Sequence, residues 1–202
     1  MITSIYKKGT QAVNYFARKK DGKINKMKAI KLIYLADRYH LRKYGRPIIG
    51  DEYWAMKYGP VGSSTLNIVN LSEDNIGTES IAYVKEYIGH TKGDTELKDI
   101  LSKKEVELGV FSQSDIDAFE KVYKEFGDKD RFELADITHK YPEWSKFKTE
   151  IDGGKRRAKM DYLDFFKDSK NTGSSIFATE NNHLDITKEI YLENKEVANL
   201  LG

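Results

Sequence analysis

The chain of 202 residues contains no cysteine, only three prolines and only four histidines. Without cysteine there are no disulfides, no thiolate metal ligands and no cysteine nucleophile, a composition that suits the reducing cytoplasm. No stretch of 18 apolar residues occurs, and the first 20 residues hold five Lys/Arg and no apolar signal core. The chain therefore reads as soluble and untargeted, with no membrane partner. The histidines, His40, His90, His139 and His183, show neither HxH nor HExxH spacing, so no metal is expected, and no cofactor either. Acidic residues are scarce at one end. Residues 1–50 carry 13 Lys/Arg against Asp21 and Asp37, a net of +11, while the remaining 152 residues carry 21 against 30, a net of −9. Such a split either steers an acidic partner or nucleic acid, or is neutralised where the two parts meet.

What is present is enough for a core: 39% of residues are hydrophobic, among them 13 Tyr and 9 Phe. Apolar residues recur at helical spacing over 5–20 and again over 24–44 (Met27, Ile30, Ile33, Tyr34, Leu41, Tyr44), with Asn25 placed to cap the second helix and Gly45 to stop it. The segment PIIGDEYWAMKYGP is extended or turn-like, and a short helix is expected over 63–70. Alternation in SIAYVKEYIGH, a turn at 92–94 and TELKDIL together predict a β-hairpin. Ser112 opens a helix that Gly127 closes, and further helices are expected over 131–140 and 155–167. Residues 169–182 read as a polar linker before an amphipathic helix over 186–201. The fold class is mainly α (α+β), a single compact helical domain with a small antiparallel hairpin, over 1–168, followed by the 169–202 appendage.

The segment YWAMKYGPVGSS (53–64) combines glycines and serines in a way that suggests phosphate binding. No lysine follows Gly62 and no buried parallel strand precedes the loop, so it reads instead as a rigid joint. Tyr53, Trp54 and Tyr58 are expected to anchor it in the core, Gly59-Pro60 to turn it, and Ser63 or Ser64 to cap the next helix. Asp152-Gly153-Gly154-Lys155-Arg156-Arg157 lacks the Ser/Thr of a P-loop and reads as a helix start. Asp37 and His40 share a helix face three residues apart, expected to be buried. A polar brace, to Tyr58 or a backbone amide, competes there with a catalytic dyad of a small hydrolase or nucleotide-processing enzyme. On the other face Lys28, Lys31, Arg38 and Arg42 form a stripe. It is either a solvated face or a surface for an acidic partner, and charge reversal at Arg38 and Arg42 is then expected to leave the fold intact. Direct nucleic-acid binding is not expected, since no helix-turn-helix, zinc-finger or RNP pattern accompanies the charge. In LADITHKYPEWSKF (134–147), His139 sits at a helix C-terminus and Trp144 reads as a core plug.

Three stretches together resemble the Panacea domain, the SocA-like antitoxin family of bacteria and phages. They are KAIKLIYLADRYHLRKYGRPIIGDEYWAMKYGPVGSS (28–64), LADITHKYPEWSKF (134–147) and MDYLDFFKD (160–168), in order over roughly 140 residues. In the family pattern a Leu-Ala-(Asp/Gln) helix is followed by Gly-x-Pro, then by Tyr-Gly-Pro-Val, a Thr-His helix end with Pro and Trp, and a Tyr/Phe-Phe pair. Asp37, Trp54, Tyr58, Gly59, Pro60, His139 and Trp144 are the structural signature here, with Glu143 inserted between Pro142 and Trp144. The resemblance implies a protein-binding antitoxin and not an enzyme. One branch of the family resembles an adaptor that hands its toxin to a ClpXP-type protease. Some members carry a DNA-binding extension for autoregulation, and none is seen in this chain. Lys28, Lys31, Arg38 and Arg42 are the expected toxin contacts, with the 186–201 helix as a second contact.

Overall fold

The computed structural model describes residues 3–91, 99–169 and 174–201. The elements are α1 (Ser4–Lys19), β1 (Lys23–Asn25), α2 (Lys26–Tyr44), β2 (Tyr53–Met56), β3 (Gly59–Gly62), α3 (Ser63–Asn70), α4 (Glu73–Ile76) and α5 (Thr78–Tyr87). They continue with β4 (Ile88–His90), β5 (Asp99–Ser102), α6 (Gln113–Phe126), α7 (Arg131–Thr138), α8 (Pro142–Ser145), α9 (Lys148–Asp152), β6 (Arg157–Lys159) and α10 (Asn181–Leu201), with 3₁₀ turns at Leu108–Val110 and Tyr162–Phe166. The class is mainly α with two small antiparallel sheets, ordered β1-β5-β4 and β3-β2-β6. No helix among the described residues is long and apolar enough to cross a membrane.

Helix α2 is the axis. Its N-cap Asn25 accepts from the Met27 and Lys28 amides, and Gly45 ends it at φ 71° in the left-handed region. Every residue from Lys28 to Arg42 is buried, because α1, α6, α7 and α10 pack around it. A helix enclosed on all sides has no solvent face on which to place its polar residues. Aromatic side chains fill the surrounding space, with Phe16 edge-on to Phe119, and Tyr34 edge-on to both Tyr53 and Phe165.

Local signals hold where a cap decides the boundary. Ser112 and Asp115 form a capping box on α6, Gly127 closes it, and α1 and α3 lie where the periodicity puts them. Elsewhere the structure corrects the reading. The expected strand over 79–90 is α5 through Tyr87, with Ser80, Ile81, Tyr83, Val84 and Tyr87 buried at helical spacing. Only Ile88–His90 pairs with β5, and the expected turn at 92–94 lies outside the described residues. The helix expected over 155–167 is absent. Gly154, at φ 99°, turns the chain out of α9 so that Arg157–Lys159 pairs with β2, and Asp161 then caps a 3₁₀ turn. The same turn excludes a helix start at 152–157. The 53–64 segment is a two-stranded hairpin rather than a turn-like joint.

The tail expected to be a linker and helix contributes to the core. Phe177 and Leu184 are buried, and the Thr187 hydroxyl donates to the Arg42 carbonyl in α2 (3.1 Å). From Leu192 to Leu200 the same helix is exposed on every side.

Helix α3 has no capping side chain of its own; neither Ser63 nor Ser64 plays the expected role. Asp51 reaches over from the preceding loop. Its carboxylate accepts from the Ser64 amide (2.8 Å), the Thr65 amide (2.7 Å) and the Thr65 hydroxyl (2.8 Å). A Cβ at Gly62 would lie 2.3 Å from this carboxylate, which leaves glycine as the residue that fits. Replacing Asp51 with Ala leaves three donors, two of them buried, without their acceptor. The expected loss is about 2–4 kcal/mol of unfolding free energy, read from the urea midpoint.

Candidate functional site

The four cations expected on a solvated stripe are inside the protein: Lys28 is 7%, Lys31 1%, Arg38 1% and Arg42 2% exposed. That expectation is corrected, and the reason is the enclosure of α2. Each cation is held by backbone carbonyls or carboxylates from distant elements. Lys28 donates to the Gly127 and Lys129 carbonyls beyond α6. Arg42 donates to the carbonyls of Phe165, Lys167 and Phe177, and its remaining nitrogen pairs with Asp168.

Arg38 is the centre of a buried ionic group. Its Nε lies 2.9 Å from Glu143 Oε1, Nη2 donates to the Lys167 carbonyl, and its plane lies over the rings of Tyr141 (4.4 Å) and Phe177 (5.1 Å). Glu143 also accepts from the Tyr34 hydroxyl; burial pushes its pKa up, and Arg38 opposes that push. Glu143, an insertion in the signature by sequence, thus compensates the most deeply buried guanidinium. An acid set among Tyr141, Pro142 and Trp144 was the available signal. Since one partner removed from a buried pair strands the other, Arg38→Ala is expected to cost about 3–5 kcal/mol. Reversal at Arg38 and Arg42 should unfold the chain and not merely weaken a contact. Thermal melts by circular dichroism check this.

Asp37 and His40 are buried together on α2 but engaged separately. Both Asp37 oxygens are occupied: Oδ1 by the Ile48 and Ile49 amides (2.9 Å each), and Oδ2 by the Tyr53 hydroxyl (2.9 Å) and the Gly50 amide (3.3 Å). Burial pushes this carboxyl up to about 7, against the pull of those donors. Asp37 is thus a brace to backbone amides and Tyr53, not to Tyr58. Burial holds the His40 imidazole down to about 4, hence neutral, with Nδ1 donating to the Arg46 carbonyl (2.8 Å) and Nε2 accepting from the Ser114 hydroxyl (3.0 Å). No cluster of three or more His, Asp or Glu able to hold a metal ion occurs among the described residues.

The hairpin β2–β3 instead presents its tip outward. Tyr58, expected in the core, is 51% exposed, and Trp54 is half-buried on the outer face with the Arg157 guanidinium 4.3 Å from its ring. The hairpin is fastened from beneath at two points. Lys31 Nζ donates to the Pro60 carbonyl (2.7 Å), and Trp144 Nε1 donates to the Met56 carbonyl (3.0 Å). Gly59, at φ 95°, lies so close that a Cβ there would be 2.6 Å from Thr138 Oγ1 and 2.9 Å from Lys31 Nζ. His139 stacks on Trp144 at 3.8 Å and so supports the second fastening. Lys31 has no carboxylate within ion-pair distance among the described residues, and burial pushes its pKa down to about 7.

Between this hairpin, the start of α2, α3 and the start of α7 lies a groove of about 400 Å³. Its floor is apolar (Met27, Ile30, Val61, Leu66, Val69), and Tyr58 stands at its edge. Lys57, Arg131 and Arg156 occupy the rim together with Lys26, which donates to Asn70, and no Asp or Glu lines it. The signature residues Gly59, Pro60 and Trp144 therefore build or fasten one wall of an open, apolar site.

The His139 ring is kept neutral: burial, with Lys31 as a further cause, holds its pKa down to about 4. A histidine depressed on folding contributes stability above the unfolded pKa of ~6.5 and loses it as pH falls through the folded value. His139→Phe keeps the stacked ring and removes the titration. Relative to this variant, the unmodified chain should lose on the order of 2 kcal/mol between pH 7 and pH 4, measured by urea unfolding at both.

A family model described as antitoxin SocA-like, Panacea domain, matches residues 30–145, more than half of the chain. No curated protein and no solved structure matches.

Proposed function

The chain belongs to the antitoxin SocA-like, Panacea domain family, and on that premise we propose that it is an antitoxin that neutralises a cognate toxin in the cytoplasm by direct protein–protein binding. The observation that carries this reading is the outward hairpin tip: the signature segment is fastened from below yet leaves Tyr58 and an apolar groove open to a partner. Large apolar and aromatic surface, preorganised and open, is what a protein-binding site offers. The buried cations contribute indirectly, by fixing α2 and the elements that carry the groove. The exposed half of α10, with Val197 and Leu200, is the second contact in this reading.

The test uses a neighbouring reading frame whose product arrests growth when expressed alone. Co-expression with this chain should restore growth, and the two proteins should co-purify. Tyr58→Ala combined with Leu66→Gln, with the fold verified by circular dichroism, should lose both effects. Rescue without co-purification would overturn direct binding. A toxin half-life that drops on co-expression would indicate delivery to a protease rather than sequestration.

A further inference from the structure

Several surface cations of this protein pair with carboxylates, among them Lys19 with Glu120, Lys85 with Glu73, Lys104 with Glu86, Lys148 with Asp152 and Lys159 with Glu52. The groove rim instead gathers cations around an apolar floor. Lys57, Arg131 and Arg156 come from three separate elements, and none has a carboxylate within ion-pair distance among the described residues. Lys57 and Arg131 rest instead beside the exposed rings of Tyr58 (5.6 Å) and Phe132 (4.8 Å). Beside Arg131 in sequence, Asp130 and Glu133 cap α7 through backbone amides, and Glu150 near Arg156 pairs with Lys155.

We infer that this groove is a binding site for a segment of the partner protein that combines apolar anchors with Asp or Glu side chains. The inference rests on the protein-binding reading above and adds the chemistry of the occupant. Apolar side chains of that segment fill the floor between Met27, Ile30 and Leu66, while its carboxylates meet the unmatched rim. The apolar floor distinguishes such a segment from a bare polyanion, which would use the rim and leave the floor exposed. The rim charges distinguish it from a neutral apolar segment, and they reject a basic one by like-charge repulsion. Since the hairpin wall is fastened by Lys31 and Trp144, the groove needs little ordering when it is filled.

The experiment uses the full-length chain and three fluorescent probes: a 12-residue peptide of alternating Leu/Phe and Glu/Asp, its analogue with Gln in place of the acids, and a single-stranded 12-nucleotide DNA. Fluorescence anisotropy should show saturable binding of the acidic peptide, weakened about tenfold between ~0.05 M and ~0.5 M salt. The Gln analogue should bind at least about tenfold more weakly than the acidic peptide at low salt. A triple variant, Lys57→Glu, Arg131→Glu, Arg156→Glu, changes side chains on the exposed rim. It should keep its melting temperature and lose the preference for the acidic peptide. Equal binding of the acidic and Gln peptides, tighter binding of the DNA, or unchanged affinity in the triple variant each overturns the inference. So does no binding of the acidic peptide at millimolar concentration. Toxin rescue that fails with Tyr58→Ala/Leu66→Gln but survives the triple reversal would sink this inference while leaving the antitoxin reading intact.

Discussion

Helix α2 is enclosed on every side yet carries Lys28, Lys31, Asp37, Arg38, His40 and Arg42, and the rest of the fold is arranged around that conflict. Each of these groups would cost several kcal/mol if buried without partners, a large share of the stability of a domain this size. The structure supplies partners from nearly the whole chain: amides at 48–50 for Asp37, the 127–129 turn for Lys28, Pro60 for Lys31, Glu143 for Arg38, and carbonyls at 165–177 for Arg42. Loops with no regular structure of their own are therefore fixed by what α2 demands of them. Some demand is left over. Glu143 Oε2, Tyr141 Oη and Arg38 Nη1 have no hydrogen-bond partner among the described residues, so this buried group is satisfied only in part.

The same conflict explains which features were legible in the sequence. Boundaries written in local chemistry could be read: Asn25 and Gly45 around α2, Ser112 and Gly127 around α6, and the helical class of the whole. Features that depend on partners far along the chain could not. The β1–β5 and β2–β6 pairings join segments about 75 and 100 residues apart, and no local pattern in such short strands announces them. The cation stripe failed for a related reason. Spacing alone places Lys28, Lys31, Arg38 and Arg42 on one face, but whether that face meets water depends on residues 29 to 135 positions away. Helix α5 shows the limit of short windows, since its apolar residues fit a period of two and a period of 3.6 almost equally well.

Of the candidate site, Gly59 and Pro60 were legible as structural positions, while the joint expected around them is a hairpin. Its outward face was not legible, because aromatic residues beside a Gly-Pro turn are as compatible with a core anchor as with an exposed tip. Asp51 was missed outright: a carboxylate 13 residues before the amides it caps leaves no recognisable spacing. These cases share one property. The sequence reveals where the backbone must bend, and the tertiary arrangement decides which side of the bend a partner would meet.

The burial of Phe177 and Leu184 and the bond from Thr187 to the Arg42 carbonyl bear on how the chain is made. A ribosome releases residues 177–187 only about 130 residues after the end of α2 has emerged. Until then Arg38 lacks one of its two aromatic faces and Arg42 lacks a carbonyl that holds it, so the central helix cannot reach its final environment. The surroundings of α2 are thus completed only when residues 177–187 are present, and a chain truncated before residue 177 would be missing part of its own core.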